Sequence, residues 1–294
     1  RRDAVVVGGG PAGLAFAAAA AARGLDVLVL EARPDPVDKA CGEGILPAGV
    51  RALDALGVLG RLGPGDASPL SRLHWVDGSG MAAEVALPAP GGLGVRRTAL
   101  SAALLARARE AGAEVVVRHE GGEARARLLV AADGLASPVR RREGLDLPVA
   151  GPRRFGLRRH LHRPGGGDAV EVHLGDRCEA YLTPAGTGRL GVAFLFEGAA
   201  PGGWDGLLAR FPALQARLGG LAPASAPRGA GPLARAARAR VLNRLVLLGD
   251  AAGYLDALTG EGLSLALGCA LDLAALAPDA LAGGATRAHL QAYE

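Results

Sequence analysis

Lysine is almost absent from this 294-residue chain: of its 33 basic residues only Lys39 is a lysine, and the rest are arginine. The arginines are scattered, with no basic arm and, at 3% aromatics, no aromatic-interleaved stripe. A net charge of +4 so distributed excludes a nucleic-acid partner from the reading. Cysteine is nearly as scarce. Cys41, Cys178 and Cys269 are odd in number, far apart and without C-x-x-C spacing. That argues against a disulfide framework and a bound metal, and for a reducing, cytoplasmic setting. The Ala-rich stretch 12–22 stops at Arg23, short of the roughly 20 apolar residues a membrane span needs. With no secretory signal visible, a soluble protein without a transmembrane segment is expected. The chain opens at Arg1 without Met and closes at Glu294 inside a helical pattern, so trimmed ends are expected as well.

What is plentiful is small and apolar. Half of the residues are hydrophobic and 46 are glycine, which removes disorder from consideration. It points to a turn-rich fold in which backbone approaches backbone or ligand. At this length the chain buries a real core, as one large domain or two interleaved ones.

Secondary-structure signals alternate along the chain. DAVVV (3–7) reads as a strand, GGGPAG (8–13) as a turn, 14–23 as a helix ending at Gly24, and DVLVL (26–30) as a second buried strand. Together they form a βαβ unit of the kind that builds a parallel sheet. Helical spacing over 48–62 is followed by two strands, 70–76 and 81–87, joined across DGSG. A helix over 98–111, strands in EVVV and ARLLVAAD, and a helix at 138–142 resume the βα pattern. From 153 to 197 four strands separated by RPGGGD, GDR and PAGTG predict an antiparallel meander. A helix near 204–218, a strand at 244–250 and a helix over 263–277 complete the series. The fold class is therefore α/β, with a Rossmann-like part interrupted by antiparallel β-sheet: 1–66, 96–152 and 238–294 against 67–95 and 153–237.

Gly8, Gly10 and Gly13 fit G-x-G-x-x-G between a strand and a helix. The first glycine permits the turn, the second lets backbone approach a pyrophosphate, and the third lets the helix, opened by Pro11 and Ala12, pack on the strand. Its free N–H groups and positive dipole end suit phosphate. Glu31, with Ala32 beside it, closes the second strand about 20 residues on, where a carboxylate accepts from ribose hydroxyls. This fingerprint alone does not separate FAD from NAD. Two further motifs accompany it: LLVAADGLASPVRR, with Asp133 and Gly134 at a strand end, and LVLLGDAAGYLDALTGEGLSLAL, an apolar strand delivering Asp250 to a glycine-rich helix entry.

In this order and spacing the three motifs resemble the FAD-dependent oxidoreductases of the para-hydroxybenzoate hydroxylase fold, over nearly the whole chain. The resemblance implies an FAD-binding domain interrupted by a β-sheet substrate domain, a longer segment than 114–133 provides, and further helices beyond Glu294. It also implies roles. Gly8, Gly10, Gly13 and Glu31 hold the adenosine diphosphate half, Arg97 of R-x-x-L-x-x-x-L reaches the cofactor, and Asp133 lies near the pyrophosphate. Asp250 accepts from a ribityl hydroxyl, and Gly260, Glu261, Gly262 and Leu263 face the flavin ring. A helix starting there points its positive end at the pyrimidine, where reduction places negative charge.

The aromatic hydroxylases of this fold carry GDAAH and then P-x-x-G-Q-G-x-N; here Gly253 replaces the histidine, residues 256–258 lack the proline, and Glu261 replaces the glutamine. DKACGEGILP (38–47) resembles instead the D-K-x-C-G-x-G-x-x-P loop of geranylgeranyl reductases, which places Gly42, Glu43 and Gly44 beside the flavin. That group implies FAD-dependent reduction of a bulky, largely apolar small molecule, with NAD(P)H as external electron donor. Alternatives are an FAD-dependent monooxygenase acting on an aromatic or polyketide-like substrate, and a non-catalytic flavin-binding protein. Cys41 has three readings: a proton donor whose pKa is lowered at a glycine turn, a packing residue, or a metal ligand. Glu43 and Lys39 read as solvated loop charges, or as partners of each other or the cofactor. Arg158, Arg159, His160, His162 and His173 fall on strands whose alternation sends half of them to solvent, so none is assigned a role. GAGPLA (229–234) repeats a glycine pattern with no strand before it and reads as a loop.

Overall fold

The computed structural model describes residues 1–33, 38–117 and 125–294. The chain runs through β1 (Arg2–Val7), α1 (Pro11–Ala21), β2 (Val27–Glu31), β3 (Gly44–Ile45), α2 (Pro47–Ala55), β4 (Ala67–Leu70), β5 (Arg72–Val76), β6 (Ala82–Ala86), β7 (Gly92–Val95), α3 (Arg97–Glu110), β8 (Glu114–Val117) and β9 (Ala126–Ala131). Then come α4 (Pro138–Arg142), β10 (Asp146–Leu147), β11 (Arg154–His162), β12 (Ala169–Gly175), β13 (Cys178–Pro184), β14 (Arg189–Glu197), α5 (Gly203–Leu208) and α6 (Pro212–Leu218). The last elements are β15 (Arg228–Ala230), β16 (Arg235–Ala237), β17 (Val241–Leu242), β18 (Leu245–Leu247), β19 (Gly253–Tyr254), α7 (Gly262–Ala282) and α8 (Arg287–Leu290).

The apolar strands read at 3–7, 26–30 and 244–250 join one sheet in the order β17-β18-β9-β1-β2-β8, parallel except for β17. Val6 stands between Val29 and Val130 in the register, and all three are fully buried. Burial on both faces explains why these strands show apolar runs and not alternation. Helix α1 packs against α7 and α3, and its alanines let the helices approach closely; nearly all of it is buried. This is the Rossmann-like region.

Antiparallel structure forms separate sheets. The largest has the order β15-β11-β14-β13-β12-β5-β6. The expected four-strand meander is corrected here: β12, β13 and β14 do meander, but β11 pairs with β14 and not with β12. The place beside β12 is taken by β5, in parallel. Residues 70–76 are likewise not one strand. The chain leaves β4 at Leu70, and β5 begins at Arg72 in another sheet, so β4 pairs with β7 and only β5 forms the hairpin with β6. Helix α2 stops at Ala55, with a 3-10 turn at Leu59–Arg61, and the helix expected over 204–218 breaks before Pro212 into α5 and α6. A proline there cannot donate its missing N–H to a continuing helix. Residues 229–234 follow no parallel-sheet strand, although Arg228–Ala230 pairs on the edge of β11. The shortness expected over 114–133 involves 118–124, which lie outside the described residues.

Helix α7 qualifies by length and composition as able to cross a bilayer, which the expectation drawn from 12–22 did not weigh. In the fold its apolar side is spent inward: Leu267, Ala270, Leu273, Ala274 and Ala277 are fully buried in the core shared with α1.

Candidate flavin and substrate site

A cavity of about 670 Å³ lies between the C-terminal ends of the parallel strands and one face of the large antiparallel sheet. The sequence motifs converge on it. Gly10, Pro11, Ala12, Arg97, Asp133, Gly134 and Asp250 line one side, and Gly260 just before α7 and Gly262 and Leu263 at its start close it. Cys41, Gly42, Glu43 and Gly44 line it from the connection between β2 and α2. Glu31, Ala32, Gly8, Gly13 and Glu261 do not border the cavity itself. Glu31 accepts from the N–H groups of Gly9 (2.7 Å) and Arg33 (2.9 Å), which pins the end of β2 to the glycine turn.

The glycines are there for different reasons. A Cβ on Gly13 would stand 2.1 Å from the Gly8 carbonyl oxygen, and one on Gly8 would stand 2.3 Å from that of Ala132, so both allow α1 to sit on the strands. On Gly10 a Cβ would meet only an Arg97 nitrogen, at 3.9 Å, which leaves open space at the N-terminus of α1. No side chain caps that helix. Buried polar atoms around this space lack protein partners: Asp133 Oδ1 and Arg97 Nε. Buried unpaired polar atoms are costly. An open helix N-terminus, an orphaned carboxylate oxygen and an orphaned guanidinium nitrogen fit a diphosphate-bearing dinucleotide. Burial pushes the Asp250 carboxyl up, against the nearby Arg97 and Lys39 charges, and burial and then Arg97 push the Lys39 ammonium down.

Two expectations for the 38–47 loop are corrected. Burial pushes the Cys41 thiol up, outweighing Arg97, which corrects the lowered pKa that one of its three readings held; at neutral pH the thiol keeps its proton. Glu43 is not a solvated charge and does not pair with Lys39: it is 1% exposed. Its Oε2 accepts from His160 Nε2 at 2.6 Å and its Oε1 from the Arg97 N–H at 2.9 Å. Arg158 Nη1 lies 3.1 Å from His160 Nδ1. Arginine only donates, so Nδ1 accepts and the ring's proton sits on Nε2, facing Glu43. Arg158 also donates to Asp38 and to the Lys39 carbonyl. Glu43 N–H in turn donates to Cys41 Sγ at 3.3 Å. Glu43 adopts φ 62°, a left-handed conformation rare for a non-glycine residue. The buried pairings offset that cost.

Sequence reasoning assigned no role to Arg158 and His160. The available signal was their spacing: two apart on β11, they share one face, and that face meets the loop. His162 continues the period but is exposed at the strand end, while Arg159 faces away and stacks over Trp204 at 5.5 Å. Tyr181 and Tyr254 also line the cavity and were not anticipated. Tyr181 donates to the Leu258 carbonyl (3.2 Å), and burial pushes both phenols up.

Comparison with known proteins agrees with this geometry. Residues 6–37 match the NAD(P)-binding Rossmann-like domain family. A menaquinone reductase of Mycolicibacterium smegmatis is 46% identical over 91 residues, which is 31% of this chain and 21% of that protein. The match thus spans about a fifth of that relative's length. Digeranylgeranylglycerophospholipid reductase 1 of Methanopyrus kandleri is 31% identical over 314 residues, covering 91% of this chain and 78% of that one. Among solved structures, the halogenase PltM in complex with phloroglucinol and FAD superposes with a TM-score of 0.86 at 18% identity, over 100% of this chain and 73% of that one. The fold and the cavity define a flavin-binding oxidoreductase. The chain belongs to the geranylgeranyl reductase-like family of FAD-dependent enzymes within the para-hydroxybenzoate hydroxylase superfamily.

Proposed function

We propose that this protein uses FAD to reduce a bulky, largely apolar small molecule, with NAD(P)H as the external donor. The observation that carries the reading is the wall opposite the glycine cradle. Leu73 and Trp75 of β5, Val170 and Val172 of β12, and Leu46 and Leu70 present apolar side chains to the cavity. An apolar face there favours a hydrocarbon over a polar metabolite. The relatives named as reductases of menaquinone and of a digeranylgeranyl lipid support the same substrate class.

FAD, when bound, supplies the two-electron redox chemistry. The chain's own residues hold and shape the site, drawn from 1–66, 96–152 and 238–294 with the substrate face drawn from 67–95 and 153–237. Gly8 and Gly13 seat α1; Gly10, Pro11 and Ala12 would offer its N-terminus to the pyrophosphate, Arg97 would meet the same group, and Asp133 with Gly134 would lie near it, the carboxylate accepting from a cofactor hydroxyl. Glu31, beside Ala32, keeps lone pairs free for ribose hydroxyls. Asp250 would accept from a ribityl hydroxyl, and Gly260, Glu261, Gly262 and Leu263 would present the positive end of α7 to the flavin. Gly42, Glu43 and Gly44 would hold the loop beside the flavin, and Cys41, protonated on Sγ, would supply a proton to the substrate.

A second reading, oxygen-dependent attack on an aromatic or polyketide-like substrate, is favoured by the fold shared with a halogenase whose structure holds phloroglucinol, an aromatic, with FAD. Turnover of NAD(P)H with a prenylated quinone or prenyl lipid, followed in air and anaerobically, separates the two. Reduced product formed without oxygen is expected; product formed only in air contradicts reduction and establishes the second reading.

A further inference from the structure

Every polar group of Glu43 has a partner. Its carbonyl oxygen accepts from the Val95 N–H at 2.9 Å and its carboxylate from the Arg97 N–H and His160 Nε2, which leaves its own N–H to reach Cys41 Sγ at 3.3 Å. The backbone is left-handed there, with φ 62°. A residue with a Cβ keeps that conformation only where its surroundings over-determine it. The direction of the N–H therefore depends on what grips the rest of the residue.

The grip on the side chain is built into the large sheet. His160 is 4% exposed and Arg158 1%. Arg158 Nη1 and Ser225 Oγ both lie 3.1 Å from His160 Nδ1, and the Ser225 oxygen also accepts from the His160 N–H at 3.0 Å, so the ring is held in place. Opposite His160 on the neighbouring strand β14 stands Gly191, where a Cβ would lie 3.3 Å from Glu43 Oε2. The missing side chain makes room for the carboxylate. Among the described residues His160 is the only side chain that donates a hydrogen bond to it.

What the N–H does for Cys41 follows from charge. A thiol that gives up its proton leaves a negative Sγ, and an N–H donating to it stabilises that form. Burial is the largest influence on this thiol and raises it; Arg97 lowers it, the Glu43 charge raises it, and the Glu43 N–H and Arg158 lower it. Without His160 the N–H loses its aim and the Glu43 charge loses a donor. Both changes act against the thiolate.

We propose that His160 is a positioning residue: by holding the Glu43 carboxylate it aims the Glu43 N–H at Cys41 and so sets the reactivity of the thiol. This rests on the proton-donor reading of Cys41 and adds what readies the thiol to give its proton.

Cys41 lines the cavity, so a small reagent can reach it. The rate at which iodoacetamide alkylates it in the FAD-loaded full chain at about pH 9, read by mass mapping of the Cys41 peptide, tests the proposal. His160→Leu is expected to react about threefold or more slowly than wild type, the fall in thiolate that a rise of about half a pH unit gives, with FAD content unchanged. His160→Gln, whose amide can donate in place of Nε2, is expected to restore the wild-type rate. If His160→Leu does not fold, His160→Asn, polar but too short to reach Glu43, carries the same expectation. Loosened structure speeds alkylation, so a slower rate is not what a merely structural role gives. An unchanged rate in His160→Leu overturns the positioning role and leaves Cys41 as a donor. A faster rate overturns it as well, since the pair then only shields the thiol from reagent. Wild-type Cys41 that resists alkylation while the denatured chain reacts removes the proton-donor reading, and the positioning role with it.

Discussion

Glu43 is the residue on which the site turns. Set between two glycines, it accepts a hydrogen bond from His160 on β11 and another from the first residue of α3, while its own N–H reaches Cys41. It ties the 38–47 loop to both halves of the fold. Replacing it by alanine leaves the buried His160 Nε2–H and the part-buried Arg97 N–H without their acceptor; an unsatisfied buried donor costs on the order of 1–3 kcal/mol. Glu43→Ala is expected to lower urea stability by about 2 kcal/mol, and Glu43→Gln, which keeps an accepting oxygen, by clearly less. Equal stability of Glu43→Ala and wild type would refute the clamp. For Cys41 the sign follows from the thiol's direction. Its pKa is raised above the usual 9.0, so the proton-bearing form persists through neutral pH and is lost as pH rises beyond that value. Activity is expected to carry an alkaline limb that vanishes in Cys41→Ser, with kcat down about a hundredfold and FAD retained. Unchanged turnover would leave the thiol a packing residue.

At the scale of elements, the strand–turn–helix of β1 and α1 was legible because each level of the sequence agrees: a β-branched run, three glycines at the required spacing, then helix formers. The structure adds what the pattern does not state, namely which atom each glycine makes room for. Gly13→Ala drives a methyl into the Gly8 carbonyl, with Val6 and Ala132 carbons also within 3.2 Å, so α1 must lift off the sheet. A stability loss of about 1–3 kcal/mol with reduced FAD uptake is expected, measured by denaturation and flavin titration. Normal FAD uptake would show that the close approach is dispensable. The antiparallel part was less legible. Turn residues marked where strands end but not which strands pair, because β11 returns to β14 and β5 reaches β12 from some hundred residues earlier in the chain. Local alternation carries no information about such long-range partners. The Glu43–His160 contact, between residues 117 apart in sequence, was hidden for the same reason. Only the shared face of Arg158 and His160 hinted at it.

For the whole molecule, a glycine-rich cradle and an apolar sheet face enclose one cavity, and a loop pinned by buried charges carries a thiol to its edge. The Glu43–His160 pair is buried beside the loop, and apolar side chains of β5 and β12 line the cavity from the sheet side. The function proposed for the molecule divides the labour, with polar groups for the cofactor and apolar ones for the substrate. It depends entirely on FAD occupying the cradle. The most direct measurement is therefore the flavin content of the purified protein after incubation with FAD, in wild type and in Asp250→Ala. Wild type is expected to be yellow, with FAD released on denaturation and close to one per chain, and Asp250→Ala to retain markedly less. A wild-type protein that stays colourless in the presence of FAD would contradict the assignment of the site.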